Sequence, residues 1–352
     1  FDHSPGFVLC DMHGHTEVAK VPVASFPPGT FLYFRFALTH VEARMHALVG
    51  NRNTEPGAVM VREHLGSGGK RLRARLALAS CQALGGRADD AVDWAAAVEL
   101  LHNGSLVHDD IQDGDRTRRG RPALWARYGA AQAINAGDLL LMLPFRALRG
   151  YPAEVQSSLV QILAEYAEST VRGQIRELTL SASADKDWGD YFSAVSGKTG
   201  TLFALPVRGG AELAGLVAED ARELASAFRS IGVLYQLQDD LLDLFESKGR
   251  TERGSDVYEG RLSAVVLTHL DLHPDDAHRV FSVLERPRER TGKADVDAIL
   301  DSFISGGAGA QLLARIEHLA SELLASDALR YSEDIHAVAT ALVARVLAPI
   351  EA

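Results

Sequence analysis

Two clusters of carboxylates sit where a helix ought to be apolar. The stretch Ala91–Asp113 consists mostly of Ala, Val, Leu, Ile and Trp, yet it ends in Asp-Asp-Ile-Gln-Asp, with Asp109, Asp110 and Asp113. Glu99, His102, Leu106, Asp109 and Asp113 recur at three- and four-residue spacing, so they share one helix face. The pattern returns in Ala218–Phe245, where Gln236, Asp239, Asp240 and Asp243 lie among Ile231, Val233, Leu234, Leu237, Leu241 and Leu242. Unpaired carboxylates are costly to bury, so something positive must face them. One acidic triplet is usually a solvated helix face. Two matching triplets inside apolar helices point instead to hard divalent cations, such as Mg²⁺ with substrate phosphate completing the shell. No EF-hand spacing supports calcium storage.

The basic residues fit the same ligand. Gly68-Gly69-Lys70-Arg71-Leu72-Arg73 opens a helix and places Lys70 and Arg73 on one face, a setting suited to a phosphate. Arg118-Arg119-Gly120 follows the first acidic cluster, and Lys198-Thr199 precedes another apolar segment. The chain has 352 residues, with 36 Lys plus Arg against 47 Asp plus Glu, a formal net charge of −11. That balance argues against a nucleic-acid partner. Local cations beside acidic clusters in an acidic protein suggest a polyanion bridged by metal, such as a diphosphate.

The elements that must position these groups read as helix after helix. From about residue 37 onward, Ala, Leu, Glu and Arg dominate, with Gly and Pro between segments. The periodicity predicts helices over His40–Val49, Leu72–Leu84, Ala91–Asp113, Ala130–Leu148, Glu154–Leu178, Trp188–Ser196, Gly200–Ala214 and Ala218–Phe245. Further helices are expected over Leu262–His269, Asp276–Arg286, Asp295–Ser302, Ala308–Leu324 and Glu333–Leu347. The expectation is one all-α domain over 37–352, preceded by an extended or irregular N-terminal extension over 1–36. Cys10, His13 and His15 in that extension make an incomplete metal set and read as solvated side chains. Only two cysteines, Cys10 and Cys81, suit a reducing, cytoplasmic setting. No transmembrane segment is expected, because Asp138 and Arg146 interrupt the most apolar run, and the opening residues lack the layout of a secretory signal.

With these residues in view, the sequence resembles the trans-isoprenyl diphosphate synthases, the polyprenyl synthetase family, and is geranylgeranyl diphosphate synthase-like. The resemblance runs from about Ala37 to the C-terminus. It rests on Gly-Gly-Lys-Arg-Leu-Arg at 68–73, Glu-Leu-Leu-His at 99–102, Val-His-Asp-Asp-Ile-Gln-Asp at 107–113 and Arg-Arg-Gly-Arg-Pro at 118–122. Ala-Gly-Asp-Leu-Leu at 136–140, Gly-Gln-Ile-Arg-Glu at 173–177, Gly-Lys-Thr at 197–199 and Tyr-Gln-Leu-Gln-Asp-Asp-Leu-Leu-Asp at 235–243 complete it. The resemblance implies an isoprenoid synthase-type bundle of long helices around a central cavity, assembled as a homodimer. It implies that Asp109, Asp113 and Asp239 bind Mg²⁺, three ions with the bound diphosphate, supported by Asp110, Asp240 and Asp243. Arg118, Lys198 and Thr199 would hold an allylic diphosphate. Lys70, Arg73, His102 and Arg119 would hold isopentenyl diphosphate. Gln174, Gln236 and Tyr235 would line the reacting region.

Product length in this family depends on the cavity below the first acidic cluster. Gly104 and Ser105, one turn upstream, are small, which favours a product of twenty carbons or more, geranylgeranyl diphosphate first; close helix packing is the other reading of Gly104. Three positions depart from the family pattern. Thr251 stands where a lysine is usual, Arg261 replaces the lysine of Glu-Gly-Lys, and Tyr235 replaces a phenylalanine. Rival readings are a class I terpene cyclase of the same fold, a non-catalytic partner subunit and a helical scaffold with acidic decoration. The intact set Lys70, Arg73, His102 and Arg119 speaks against the first, and the complete acidic clusters against the second. The third leaves the buried carboxylates unexplained.

Overall fold

The computed structural model describes residues 30–50, 54–180, 187–245, 253–287 and 290–348, with side chains from Ala37 onward. The predicted helices are present. α1 (Thr30–Val49), α2 (Pro56–Leu65), α3 (Leu72–Ala83), α4 (Val92–Gln112), α5 (Leu124–Tyr128), α6 (Ala130–Ala147), α7 (Ala153–Thr179), α8 (Trp188–Val195) and α9 (Thr201–Leu213) form the first part. α10 (Ala218–Asp243), α11 (Ser255–Tyr258), α12 (Ala264–Leu272), α13 (Ala277–Leu284), α14 (Lys293–Ser305), α15 (Ala308–Leu324) and α16 (Glu333–Leu347) follow. Among the described residues the architecture is all-α apart from one short hairpin.

The structure departs from the sequence expectation in a few places. α1 begins at Thr30, inside the stretch read as an irregular extension. Cys10, His13, His15 and Thr251 lie outside the described residues. α2 was not anticipated, because Pro56 and Gly57 read as the end of a polar loop. Here Pro56 opens the helix, and the Glu55 carboxylate accepts from the Gly57 and Ala58 amides, which would otherwise be unsatisfied. A two-residue hairpin, β1 (Thr117–Arg118) against β2 (Arg121–Pro122), follows α4.

Two apolar clusters hold the bundle. One joins α1–α4, α6 and the first half of α7. The other joins α10 to α12–α16. α9 belongs to both and sits between them. Trp94 of α4 is fully buried and donates its indole N–H to the Pro206 carbonyl of α9 at 3.1 Å. A buried aromatic with its one polar atom satisfied is a strong tie. It fixes the helix of the first acidic cluster against the helix that follows Lys198 and Thr199. Among the described residues, no helix is long and apolar enough to cross a membrane.

Candidate active site

Both acidic clusters lie at helix C-termini. α4 ends with Asp109 and Asp110 in its last turn and Asp113 as its C-cap, and α10 ends with Asp239, Asp240 and Asp243. Neither last turn carries a basic residue. Carboxylates at the negative end of a helix dipole are unfavourable, so local stability did not select them. Cations from other elements answer them. Lys198 Nζ lies 2.9 Å from Glu177 Oε2 and 3.8 Å from Asp109 Oδ1. Arg261 reaches Asp113 at 2.7 Å and Glu259 at 2.8 Å. Burial pushes the Asp109 carboxyl up despite Lys198. Burial pulls the Lys198 ammonium down, but Glu177, Asp109 and Asp113 together outweigh it and raise its pKa. A cavity of about 290 Å³ has walls that include Asp113, Glu177, Thr199, Gln236, Asp240, Glu259 and Arg261.

The six aspartates do not do the same work. Asp240 is buried and fully engaged. Its Oδ2 accepts from the Tyr191 hydroxyl at 2.7 Å and the Ala264 amide at 2.8 Å, and its Oδ1 accepts from Gln236 Nε2 at 2.8 Å. Asp243 accepts from Ser255 Oγ at 2.6 Å and the Asp256 amide at 2.9 Å, which pins the start of α11 to α10. Asp110 is buried and held by the Arg118 Nε and Nη2 at 2.6 Å, with its pKa pushed by burial to about 6 against Arg118. The sequence reading gave these three a supporting role beside Asp109, Asp113 and Asp239. In the structure their oxygens accept from neighbouring elements. Asp109, Asp113 and Asp239 are partly exposed, and of the six Asp113 and Asp240 line the cavity.

Lys198 and Thr199 lie in a π turn, Ser196–Gly200, which joins α8 to α9 without a break. The sequence suggested two separate helices there. Thr199 Oγ1 donates to Gln236 Oε1 at 3.1 Å, so a chain of bonds runs Thr199, Gln236, Asp240, Tyr191. Gln174 donates to Gln112 at 2.7 Å, while its own buried Oε1 has no partner.

A second group holds basic side chains and histidines. Arg73 Nη1 meets His102 Nε2 at 3.0 Å, and the Arg73 guanidinium stands 5.4 Å from the centre of the Phe203 ring. Tyr235 packs against the same ring, with centres 5.4 Å apart. Arg119 bonds the Gly68 carbonyl and covers Gly69, where a β-carbon would lie 2.9 Å from the guanidinium. Lys70 is exposed in the same loop. Arg71 and Arg119 both have positive φ, 47° and 52°, a conformation that costs a non-glycine residue of order 1–3 kcal/mol. Arg71 is held there by burial, by Glu42 at 3.1 Å and by the Leu65 carbonyl at 2.8 Å. His102 is kept well below its usual pKa by burial and then by Arg73, Arg119 and Arg118, so it is neutral. His64 is pressed to about 3 by burial and by Arg118, Arg119 and Arg71. The Arg73 Nε and His102 Nδ1 atoms are buried without partners. A cluster of arginines with unspent donors suits a multiply charged oxyanion.

The chain-length pair divides. Gly104 is buried against α6, where a β-carbon would lie 2.8 Å from Leu141 and 3.2 Å from the Gly137 carbonyl. Its small size therefore has a packing reason. Ser105 keeps partial exposure and donates to the His102 carbonyl at 2.8 Å. Sequence reasoning left Glu177, Tyr191, Glu259 and Arg71 without roles. Glu177 ends the quoted stretch Gly-Gln-Ile-Arg-Glu, so a signal for it was present. Tyr191 lies 49 positions from Asp240 and carried none.

The donor chemistry fits magnesium: Asp109 and Asp113, one turn apart, and Asp239 offer hard oxygen atoms, and Lys198 and Arg261 stand beside the first two. Among the described residues no three such ligands converge on one point. A cation there would take one or two carboxylates and complete its shell with substrate oxygens, the usual habit of Mg²⁺.

The family model for polyprenyl synthetase matches residues 58–303. The chain belongs to the polyprenyl synthetase family. It is similar to a short chain isoprenyl diphosphate synthase of Methanothermobacter thermautotrophicus, 35% identical over 63% of this chain and 70% of that one. It is also similar to a geranylgeranyl diphosphate synthase of Methanosarcina mazei, 33% identical over 65% of this chain and 72% of that one. Among solved structures, a polyprenyl synthase from Caulobacter crescentus, complexed with calcium and isoprenyl diphosphate, superposes with a TM-score of 0.79 at 25% identity. That match covers 90% of this synthetase and 95% of the other chain.

Proposed function

We propose that this synthetase joins isopentenyl diphosphate to an allylic diphosphate, releases inorganic diphosphate and makes a linear trans-prenyl diphosphate, geranylgeranyl diphosphate. The observation that carries the reading is the pairing of two unlike anion sites. One mixes carboxylates with Lys198 and Arg261; the other, around Arg73, His102 and Arg119, is cationic and has unspent donors. The first suits a diphosphate that arrives with metal and must leave. The second suits one that binds without metal and stays attached.

The protein's own groups then divide the work. Lys198, Arg261 and Thr199 grip the allylic diphosphate; Arg118 would join them only by giving up part of its hold on Asp110. Lys70, Arg73 and Arg119 hold the isopentenyl diphosphate, with neutral His102 as a hydrogen-bond partner. Magnesium, three ions in the full complex, supplies neutralisation of the leaving group when bound with it by Asp109, Asp113 and Asp239. The allylic C–O bond breaks, the isopentenyl double bond attacks the resulting cation, and a proton passes to the departing diphosphate. Phe203, Tyr235, Gln174 and Gln236 border the reacting space. Positioning and electrostatic stabilisation carry the rate. The growing chain would run past Ser105.

The exposed faces of α6 and α7 support a homodimer. Ile134, Met142 and Phe145 on α6, with Val171 and Ile175 on α7, are large apolar residues left in solvent.

Product analysis tests the reading. The purified protein is incubated with Mg²⁺, isopentenyl diphosphate and each of the five-, ten- and fifteen-carbon allylic diphosphates, and products are identified by mass spectrometry. Linear elongated diphosphates are expected, and Ser105→Phe should shorten them. A cyclic hydrocarbon formed from geranylgeranyl diphosphate without isopentenyl diphosphate would refute the reading. Sedimentation at micromolar concentration should give twice the monomer mass.

A further inference from the structure

The π turn Ser196–Gly200 is held from behind by a residue that touches neither diphosphate site. In a π turn each amide reaches five residues back, which widens the helix and leaves its carbonyls imperfectly matched. Such turns persist where something else supports them. Two helices press on this one backbone to backbone. On the α7 side, a β-carbon at Gly173 would lie 2.2 Å from the Lys198 amide nitrogen, and one at Gly197 would lie 2.9 Å from the Gly173 Cα. On the α10 side, a β-carbon at Gly232 would lie 2.7 Å from the Gly200 Cα.

Between these contacts stands Arg229 of α10. Its Nη1 donates to the Ser196 carbonyl at 3.3 Å and to Thr201 Oγ1 at 2.7 Å. Thr201 is fully buried and its hydroxyl donates to the same Ser196 carbonyl at 3.2 Å, while Ser169 of α7 meets that hydroxyl at 3.0 Å. The guanidinium lies over the Tyr166 ring of α7, 5.6 Å from its centre. Arg229 therefore links α10, the π turn and α7. Among the described residues no carboxylate pairs with it, so its donors serve the turn.

We propose that Arg229 is a positioning residue for the allylic diphosphate. It locks the π turn so that Lys198 keeps its place beside Glu177 and Asp109, and Thr199 its place in the cavity wall. The inference rests on the proposed function for which substrate is affected; the lock itself does not. A charged donor to a partly buried carbonyl is worth enough that its loss should raise the allylic KM about tenfold.

The test compares wild type, Arg229→Gln and Arg229→Lys. Hydrogen exchange is followed in the ligand-free protein, and KM is measured for each substrate separately. Expected in Arg229→Gln are faster exchange at 197–201, an allylic KM raised about tenfold and an isopentenyl KM within about twofold of wild type. Arg229→Lys, which keeps a charged donor, should recover most of both. If Arg229→Gln does not fold, Thr201→Ser and Arg229→Lys carry the comparison, with Thr201→Ser expected near wild type and Arg229→Lys showing a partial rise in exchange. Unchanged exchange at 197–201 in Arg229→Gln, or in Arg229→Lys where Arg229→Gln does not fold, overturns the lock. Faster exchange with both KM values rising in parallel overturns the positioning role. Absence of turnover in the wild type would refute the proposed function, and the exchange data would still decide on the lock.

Discussion

Replacing Gly173 with alanine would test whether the backbone contact between α7 and the π turn sets the position of Lys198. The added methyl would lie 2.2 Å from the Lys198 amide nitrogen, 2.4 Å from the Gly197 carbonyl carbon and 2.8 Å from the Lys198 Cα. Ordinary contact begins at 3.4 Å, so α7 and the turn must separate by about an ångström. All three obstructing atoms are main chain, so no side chain can swing away. Two effects oppose each other in stability. Alanine within a helix gains about 1 kcal/mol over glycine, while overpacking costs about 1–3 kcal/mol, so the net loss should be about 0–2 kcal/mol. Activity should suffer far more. Lys198 Nζ is placed at 2.9 Å from Glu177 and 3.8 Å from Asp109, and an ångström of displacement at such a site can cost about a hundredfold in rate. The assay is steady-state condensation beside a thermal melt. A Gly173→Ala protein with wild-type kcat and KM and an unchanged or raised Tm would refute the reasoning.

The other predictions concern the residues around the clusters. Tyr191→Phe removes one of the donors to the buried Asp240 and should cost about 1.5–3 kcal/mol in urea unfolding, with the bonds from Gln236 and Ala264 preserving measurable turnover. Acid should destabilise the protein through His64. The unfolded chain takes up a proton near pH 6.5 and the folded one only near 3, so stability is full above pH 6.5 and falls on acidification by up to about 1.4 kcal/mol per pH unit for that histidine. Unfolding free energies at pH 7 and 5 should show this fall, and His64→Gln should flatten it; an equally steep fall in the variant would assign the effect elsewhere.

Much of the candidate site was legible because its chemistry is out of place locally. Asp109, Asp113 and Asp239 stand in apolar helices and at the wrong end of the helix dipole, with no basic residue in the same last turn. Helical periodicity likewise marks α4, α6, α7 and α10, since each buries a stripe that recurs every three to four residues. α2 escaped because its apolar stripe is short and its proline reads as a breaker until a cap is seen. The π turn escaped because Ser-Gly-Lys-Thr-Gly carries two glycines, which in sequence suggest an end and in space allow two helices to touch the backbone.

By itself, then, the sequence determined the helical class, the two acidic clusters and the basic residues that answer them, because these follow from residue type and spacing within one element. Only the tertiary structure decided which of the acids are held by donors from other elements. Asp240 is engaged by Tyr191 and by the Ala264 amide, 49 and 24 positions away, and Asp243 by Ser255, 12 positions away. A carboxylate's role depends on which donors reach its oxygens, and those donors arrive from elements that meet only when the chain folds.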